Sequence, residues 1–282
     1  MRRIAGFPLI AALAFAAASA LAAENPPQPS AVGCNAPPDL ILLQPPQAHA
    51  ATRMEQQQPL TIVAVGSSST QGVGASAPAF NYPSRLEAEL KERFPGHEIR
   101  VINRGKGGED VREELARLEA EVISEHPDLV IWQLGTNAVL RRDDLAADGE
   151  LLRRGVELLE RSGADIVLMD PQYAPRVLGR PGLGEMVRLI ADIAKEARVG
   201  LFRRFEIMRW QAAQPDAAAM VGADGLHMND RGYGCLAAEL AHALAANWQA
   251  HQRLVEGRQP DAVAGLSPAA KKTAAPAGNP TQ

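Results

Sequence analysis

Four short clusters hold the residue types from which acyl-transfer chemistry could be assembled. Gly66 with Ser67, Ser68 and Ser69 follows the β-branched apolar run Thr61 to Val65, and Asn103 opens "NRGKGG". Gly135, Thr136 and Asn137 close the run "PDLVIWQLG", and Asp224 and His227 stand three apart in "ADGLHMNDRGYG". A serine, a histidine and an aspartate can serve as nucleophile, base and orienter of the base, the roles hydrolytic acyl transfer needs. Glycine amides and an asparagine side chain are neutral donors of the kind that hold an oxyanion. Each cluster alone also reads as an ordinary turn at a strand end, and residue types alone do not choose among the three serines.

The elements around these clusters alternate strand and helix. "AFNYPSRLEAELKERF" carries Leu86, Leu90 and Phe94 at helical spacing, and "HEIRVIN" is a short strand ending at Asn103. A helix is expected over about 109–125, with Leu115, Leu118 and Val122 on one face. "PDLVIWQLG" has the continuous apolar character of a strand covered on both faces. A helix closed by Gly163, the strand "ADIVLMDP", a helix over about 184–197, the strand "VGLF", a helical "RFEIMRWQAAQ" and a long last helix complete the series. Strands separated by helices imply right-handed crossovers and a mostly parallel sheet with helices on both sides, an α/β fold. In such a sheet the ligand lies at the carboxyl ends of the strands, where the first three clusters fall.

Other glycine-rich readings fail on spacing. Neither "GSSSTQGVG" nor "GKGGED" supplies the Gly-Lys-Ser/Thr of a phosphate loop, and the dinucleotide fingerprint is absent at Gly66. Thr70 stands where the last glycine of a Gly-x-Ser-x-Gly elbow would be. A net charge of -4 without a long basic run argues against nucleic acid as a partner.

Taken in order, the four clusters resemble the SGNH/GDSL hydrolases, single-domain α/β esterases named for a Ser, Gly, Asn and His in four blocks. The resemblance runs from about Thr61 to Tyr233 and implies a three-layer α/β/α sandwich with a mostly parallel sheet, the flavodoxin-like SGNH fold. The family pattern Gly-Asp-Ser-Leu-Thr-x-Gly lies over Gly66 to Gly72, which selects Ser68 as nucleophile. "NRGKGG" matches the second block, with the Gly108 amide as oxyanion donor; "GTN" matches the third, with the Asn137 side chain as another, beside the Ser68 amide. "DGLH" matches the fourth, making His227 the base and Asp224 its partner. Three positions depart from the pattern: Ser67 replaces the aspartate before the nucleophile, Gly107 replaces a serine, and Ala138 follows Asn137 where aspartate is common. The resemblance implies a serine esterase without metal or organic cofactor. Its substrate is expected to be a short-acyl, acetyl-type ester of a glycan or other envelope compound. Lipase, lysophospholipase, thioesterase and O-acyltransferase variants of the same chemistry stay open. So does a non-catalytic envelope binding or assembly protein on the same fold.

The ends of the chain are read separately. "MRRIAGFPLIAALAFAAASALAAE" has the arginines, apolar stretch and small residues of a secretion signal cut near Ala22, so residues 1–22 are expected to be a signal peptide and the protein periplasmic or secreted, with no stable membrane insertion afterwards. Residues 23–58, rich in Pro, Gln and Ala, are expected to be an arm or linker, residues 59–256 the folded domain, and residues 257–282 a disordered tail. Cys34 and Cys235 could pair after export or remain thiols. Trp132 is expected in the core, whereas Tyr82 and Tyr173, which follow strand-end loops, are candidates to line the cleft.

Overall fold

The computed structural model describes residues 34–214 and 219–257. Strands β1 (Leu60–Gly66), β2 (Ile99–Gly105), β3 (Leu129–Gln133), β4 (Asp165–Met169) and β5 (Gly200–Phe202) form one sheet in the order β2-β1-β3-β4-β5, every pairing parallel. Strand order reverses between β1 and β3, so the switch point of the sheet, where such folds open a crevice, falls beside the end of β1.

Period-two alternation along the strands explains the three layers. Ile62 and Ala64 of β1, Leu129 and Ile131 of β3, and Val167 and Met169 of β4 share one core with helices α4 (Tyr82–Arg93) and α10 (Asp230–Glu256). Val63, Val65, Val130, Trp132, Ile166 and Leu168 face the opposite way, onto α7 (Leu145–Arg161) and α8 (Leu183–Ala197). In α7 the buried Leu152, Val156 and Leu159 recur at helical spacing, and Asp144 caps its first turn by accepting from the Ala146 and Ala147 amides. Trp132 is fully buried, and its indole N–H donates to the Glu114 carboxylate at 2.7 Å. Among the described residues no helix is long and apolar enough to cross a membrane.

Two elements differ from expectation. The helix expected over 109–125 keeps α geometry only in α5 (Val111–Arg117), then passes through a π-helical turn at Leu118–Val122 and a 3-10 turn at Ile123–Glu125. Both Leu118 and Val122 still reach the core, while Arg117 stays anchored on Glu109, Glu121 and the Gly66 carbonyl.

The larger difference is at the N-terminal side, where residues 34–58 fold onto the domain instead of forming a linker. Helices α1 (Pro38–Ile41) and α2 (Ala48–Glu55) and the turn between them bury Ile41, Leu43, Ala50, Ala51 and Met54 in the α10 core. Each large side chain among these is worth about 1.5–3 kcal/mol of burial. Polar side chains of the domain satisfy the backbone of this segment. Asn247 accepts from the Gln47 amide at 2.7 Å and donates to the Leu43 and Pro45 carbonyls at 3.0 and 3.1 Å. Asp165 accepts from the Ala50 amide at 2.8 Å, and Glu239 from the Ala36 amide at 2.6 Å. Cys34 and Cys235 are joined by a disulfide with a Cα separation of 5.1 Å. The segments expected to be a signal peptide and, but for its first residue, a disordered tail lie outside the described residues.

Candidate active site

Ser68 begins α3 (Ser68–Gln71), the single helical turn into which β1 delivers the chain. Asp224 and His227 belong to the loop before α10, which an isolated bridge between Val221 and Met228 closes on itself. The Ser68 hydroxyl and His227 Nε2 stand 2.9 Å apart, and His227 Nδ1 lies 2.5 Å from Asp224 Oδ2. The other Asp224 oxygen accepts the amides of Leu226 and His227, each at 3.0 Å. The Leu226 amide foremost, with the two His227 contacts, holds the Asp224 carboxyl down at about 2 despite some burial. An ionised carboxylate on Nδ1 fixes the imidazole tautomer that leaves Nε2 free to accept the serine proton.

Gly108 lies on the loop after β2. Gly105 ends that strand so close to α3 that an added Cβ would lie 2.1 Å from the Gln71 amide nitrogen. Asn103 ties the strand end down by donating to the Thr70 carbonyl at 2.8 Å and accepting from the Gly105 amide at 2.8 Å. Gly108 adopts φ +85°, a conformation that favours glycine, with open space where a Cβ would sit. Asn137, in α6 (Thr136–Arg141), donates one side-chain N–H to the Glu109 carbonyl at 2.7 Å, which leaves its second N–H for another acceptor. The structure thus brings Ser68, His227 and Asp224 into one hydrogen-bonded chain and ties the Asn137 side chain to the Gly108–Glu109 loop.

Several residues of the site carried no sequence signal strong enough to single them out. Gln133, at the end of β3, is 1 % exposed; its Oε1 accepts from the Ser67 amide and hydroxyl, each at 3.1 Å, and from the Thr70 hydroxyl at 3.3 Å. A neutral amide thus anchors Ser67, the position where the resembling family has an aspartate. Gln172, just beyond β4, accepts from the Ser69 and Thr136 hydroxyls at 3.2 and 2.8 Å and donates to the Leu226 carbonyl at 3.4 Å. It links the Ser68 turn, the Asn137 helix and the Asp224–His227 loop in one neutral buried network. The signal for Gln133 was its being the one amide side chain inside the apolar run from Leu129 to Leu134.

Tyr82 does not line the cleft. It is fully buried under the nucleophile turn, its hydroxyl 3.4 Å from that of Thr70, because the first turn of α4 packs its ring into the α10 core. Tyr173 is half-buried, stacks edge-on to Phe205 at 5.4 Å, and lines an apolar groove of about 340 Å³ with Pro175, Leu178, Met208, Met220 and Val221.

The Non-GDSL lipase-like family matches residues 33–250. An arylesterase of Vibrio mimicus is 33% identical over 95 residues, 34% of this chain and 46% of that protein. An acetylxylan esterase of Geobacillus stearothermophilus is 35% identical over 86 residues, 30% of this chain and 39% of that protein. The matched segments therefore span less than half the length of either relative. Among solved structures, the acetylxylan esterase Axe2 of Geobacillus stearothermophilus superposes with a TM-score of 0.57 at 24% identity, covering 67% of this chain and 95% of that one. The fold is the three-layer α/β/α sandwich of the SGNH hydrolases, as the four blocks implied.

Proposed function

The chain belongs to the Non-GDSL lipase-like family, and on that premise we propose that it is an exported serine esterase that removes short acyl groups, acetyl above all, from a glycan or other envelope ester. The observation that carries the reading is the chain of contacts from the Ser68 hydroxyl through His227 to Asp224, at 2.9 and 2.5 Å.

His227 Nε2 takes the Ser68 proton as Oγ attacks the ester carbonyl, and Asp224 stabilises the imidazolium that forms. The amides of Ser68 and Gly108 and the second N–H of Asn137 receive the negative charge on the carbonyl oxygen. Collapse expels the alcohol, which leaves with the proton from His227. Water then attacks the acyl-enzyme with His227 again as base, releasing the acid and restoring Ser68. No step needs a metal or an organic cofactor.

The short-acyl assignment draws support from the arylesterase and acetylxylan esterase among the relatives. Export draws on the N-terminal sequence and on the Cys34–Cys235 disulfide, a bond favoured in oxidising compartments. The test is hydrolysis of p-nitrophenyl esters from acetate to long acyl chains, followed by release of acetate from acetylated xylan and mannan oligosaccharides. Turnover that falls with acyl length and extends to the acetylated glycans supports the proposal. A preference for long acyl chains would replace it with a lipase reading.

A further inference from the structure

We propose that Gln71 and Arg141 are positioning residues of the oxyanion hole, clamping the Gly107–Gly108 peptide from its two sides so that the Gly108 N–H faces the carbonyl under attack. The inference rests on Ser68, Gly108 and Asn137 acting as described above. Consecutive glycines leave the joining peptide free to rotate, since neither residue has a Cβ to restrict it. A donor on such a peptide contributes to catalysis only if its direction is set before the charge develops.

The structure supplies that restraint through side chains. The Gly107 amide donates to Gln71 Oε1 at 2.9 Å, and the Gly108 carbonyl accepts from the Arg141 guanidinium. With the peptides before and after it both held, the Gly107–Gly108 peptide has fewer orientations open to it, and the Gly108 N–H is left as the loop donor not taken up by Gln71. Arg141 is itself steadied by Asp110 at 2.5 Å and Glu113 at 3.4 Å. Gln71 lies three residues after Ser68 on the same helical turn, so it ties the donor loop to the element that carries the nucleophile. A Cβ placed on Gly107 would meet Gln71 Oε1 at 2.8 Å and lie 3.9 Å from the Ser68 Cβ, so the loop crosses directly beside the nucleophile. A side chain at position 107, such as the serine common there in the resembling family, would require Gln71 to shift out of this contact.

Both side chains are exposed, and exposed substitutions ordinarily change stability by no more than about 0.5 kcal/mol. Effects on catalysis can therefore be separated from effects on folding. The experiment compares the parent with Gln71→Met, Arg141→Met, Arg141→Lys and Ser68→Ala. It measures kcat and KM on p-nitrophenyl acetate, inhibition by a phenylboronic acid that forms a tetrahedral serine adduct, and Tm. The expected result for each Met variant is a roughly 10-fold to 100-fold loss in kcat, with KM and Tm close to the parent and boronate affinity falling in parallel with kcat. Arg141→Lys should recover part of the loss. An active parent whose Met variants keep parental kcat and boronate affinity, or lose activity only in step with Tm, overturns the clamp. A parent no more active than Ser68→Ala overturns the esterase reading itself and the clamp with it.

Discussion

Gln133 Oε1 accepts both the amide and the hydroxyl of Ser67, each at 3.1 Å, from the neighbouring strand. The residue immediately before the candidate nucleophile is thereby fixed by a buried neutral amide. Gln133→Leu fills similar volume but leaves the Ser67 amide without that acceptor, which costs about 1–3 kcal/mol for a buried donor. We expect a lower Tm together with a loss of kcat, because the orphaned amide belongs to the turn that aims Ser68. Ser67→Ala removes only the hydroxyl bond and should keep most of the activity. Thermal melts and p-nitrophenyl acetate kinetics on the two variants check the order.

Asp224 is held at about 2 chiefly by the Leu226 amide. Because the folded value is depressed, its contribution is present above the ordinary carboxylate value and is lost only as pH falls from about 4 towards 2. Loss of activity at milder acidity therefore does not come from protonating Asp224. Asp224→Asn should lower kcat by a factor of about 100 to 10,000 while KM changes little. An Asp224→Asn variant that keeps the parental kcat would contradict this.

Glu239 is 3 % exposed, and burial raises its carboxyl to about 7, although the Ala36 amide opposes the shift. A raised folded value means that its favourable contribution is complete in acid and is lost as pH climbs through about 7. Glu239→Gln keeps an acceptor for Ala36 and carries no charge. Its Tm should match the parent near pH 5 and exceed it at pH 8, where its stability is greater by on the order of 1 kcal/mol. Melts at the two pH values decide the matter, and a variant less stable at both would contradict the sign.

The Cys34–Cys235 bond closes a loop of sequence separation 201 between the first described residue and α10, the helix that follows the His227 loop. Chain-entropy arguments put its contribution at about 3–5 kcal/mol. Reduction, or Cys34→Ser with Cys235→Ser, should lower Tm by about 10 °C and leave activity at low temperature near the parent. An unchanged Tm would mean that burial of Ile41, Leu43 and Met54 alone holds the N-terminal segment.

The sheet and the three polar strand ends were legible because apolar β-branched runs and turn residues report local structure directly. Ser68, Asn137 and His227 were picked out through the resemblance of their clusters to four family blocks in order, since residue types alone left three serines open. The fold of residues 34–58 was not legible. Ile41, Leu43, Ala50 and Met54 are diluted among prolines and glutamines, and Glu239 and Asn247, which bind the Ala36 and Gln47 amides of this segment, lie on a helix 203 and 200 residues downstream. Gln71, Gln133 and Arg141 escaped for a related reason. Their roles depend on which loop the fold sets opposite them, and glutamine or arginine at a strand end or in a short helix has many uses. Tyr82 was misplaced because a residue one step from a loop can still point into the core.

The most direct test of the account is the site of covalent modification by a fluorophosphonate, mapped by peptide mass spectrometry on the parent and on Ser68→Ala. The account predicts one adduct, on Ser68, formed faster when His227 is intact and absent from Ser68→Ala. An adduct on Ser67 or Ser69, or equal labelling of Ser68→Ala, would contradict it.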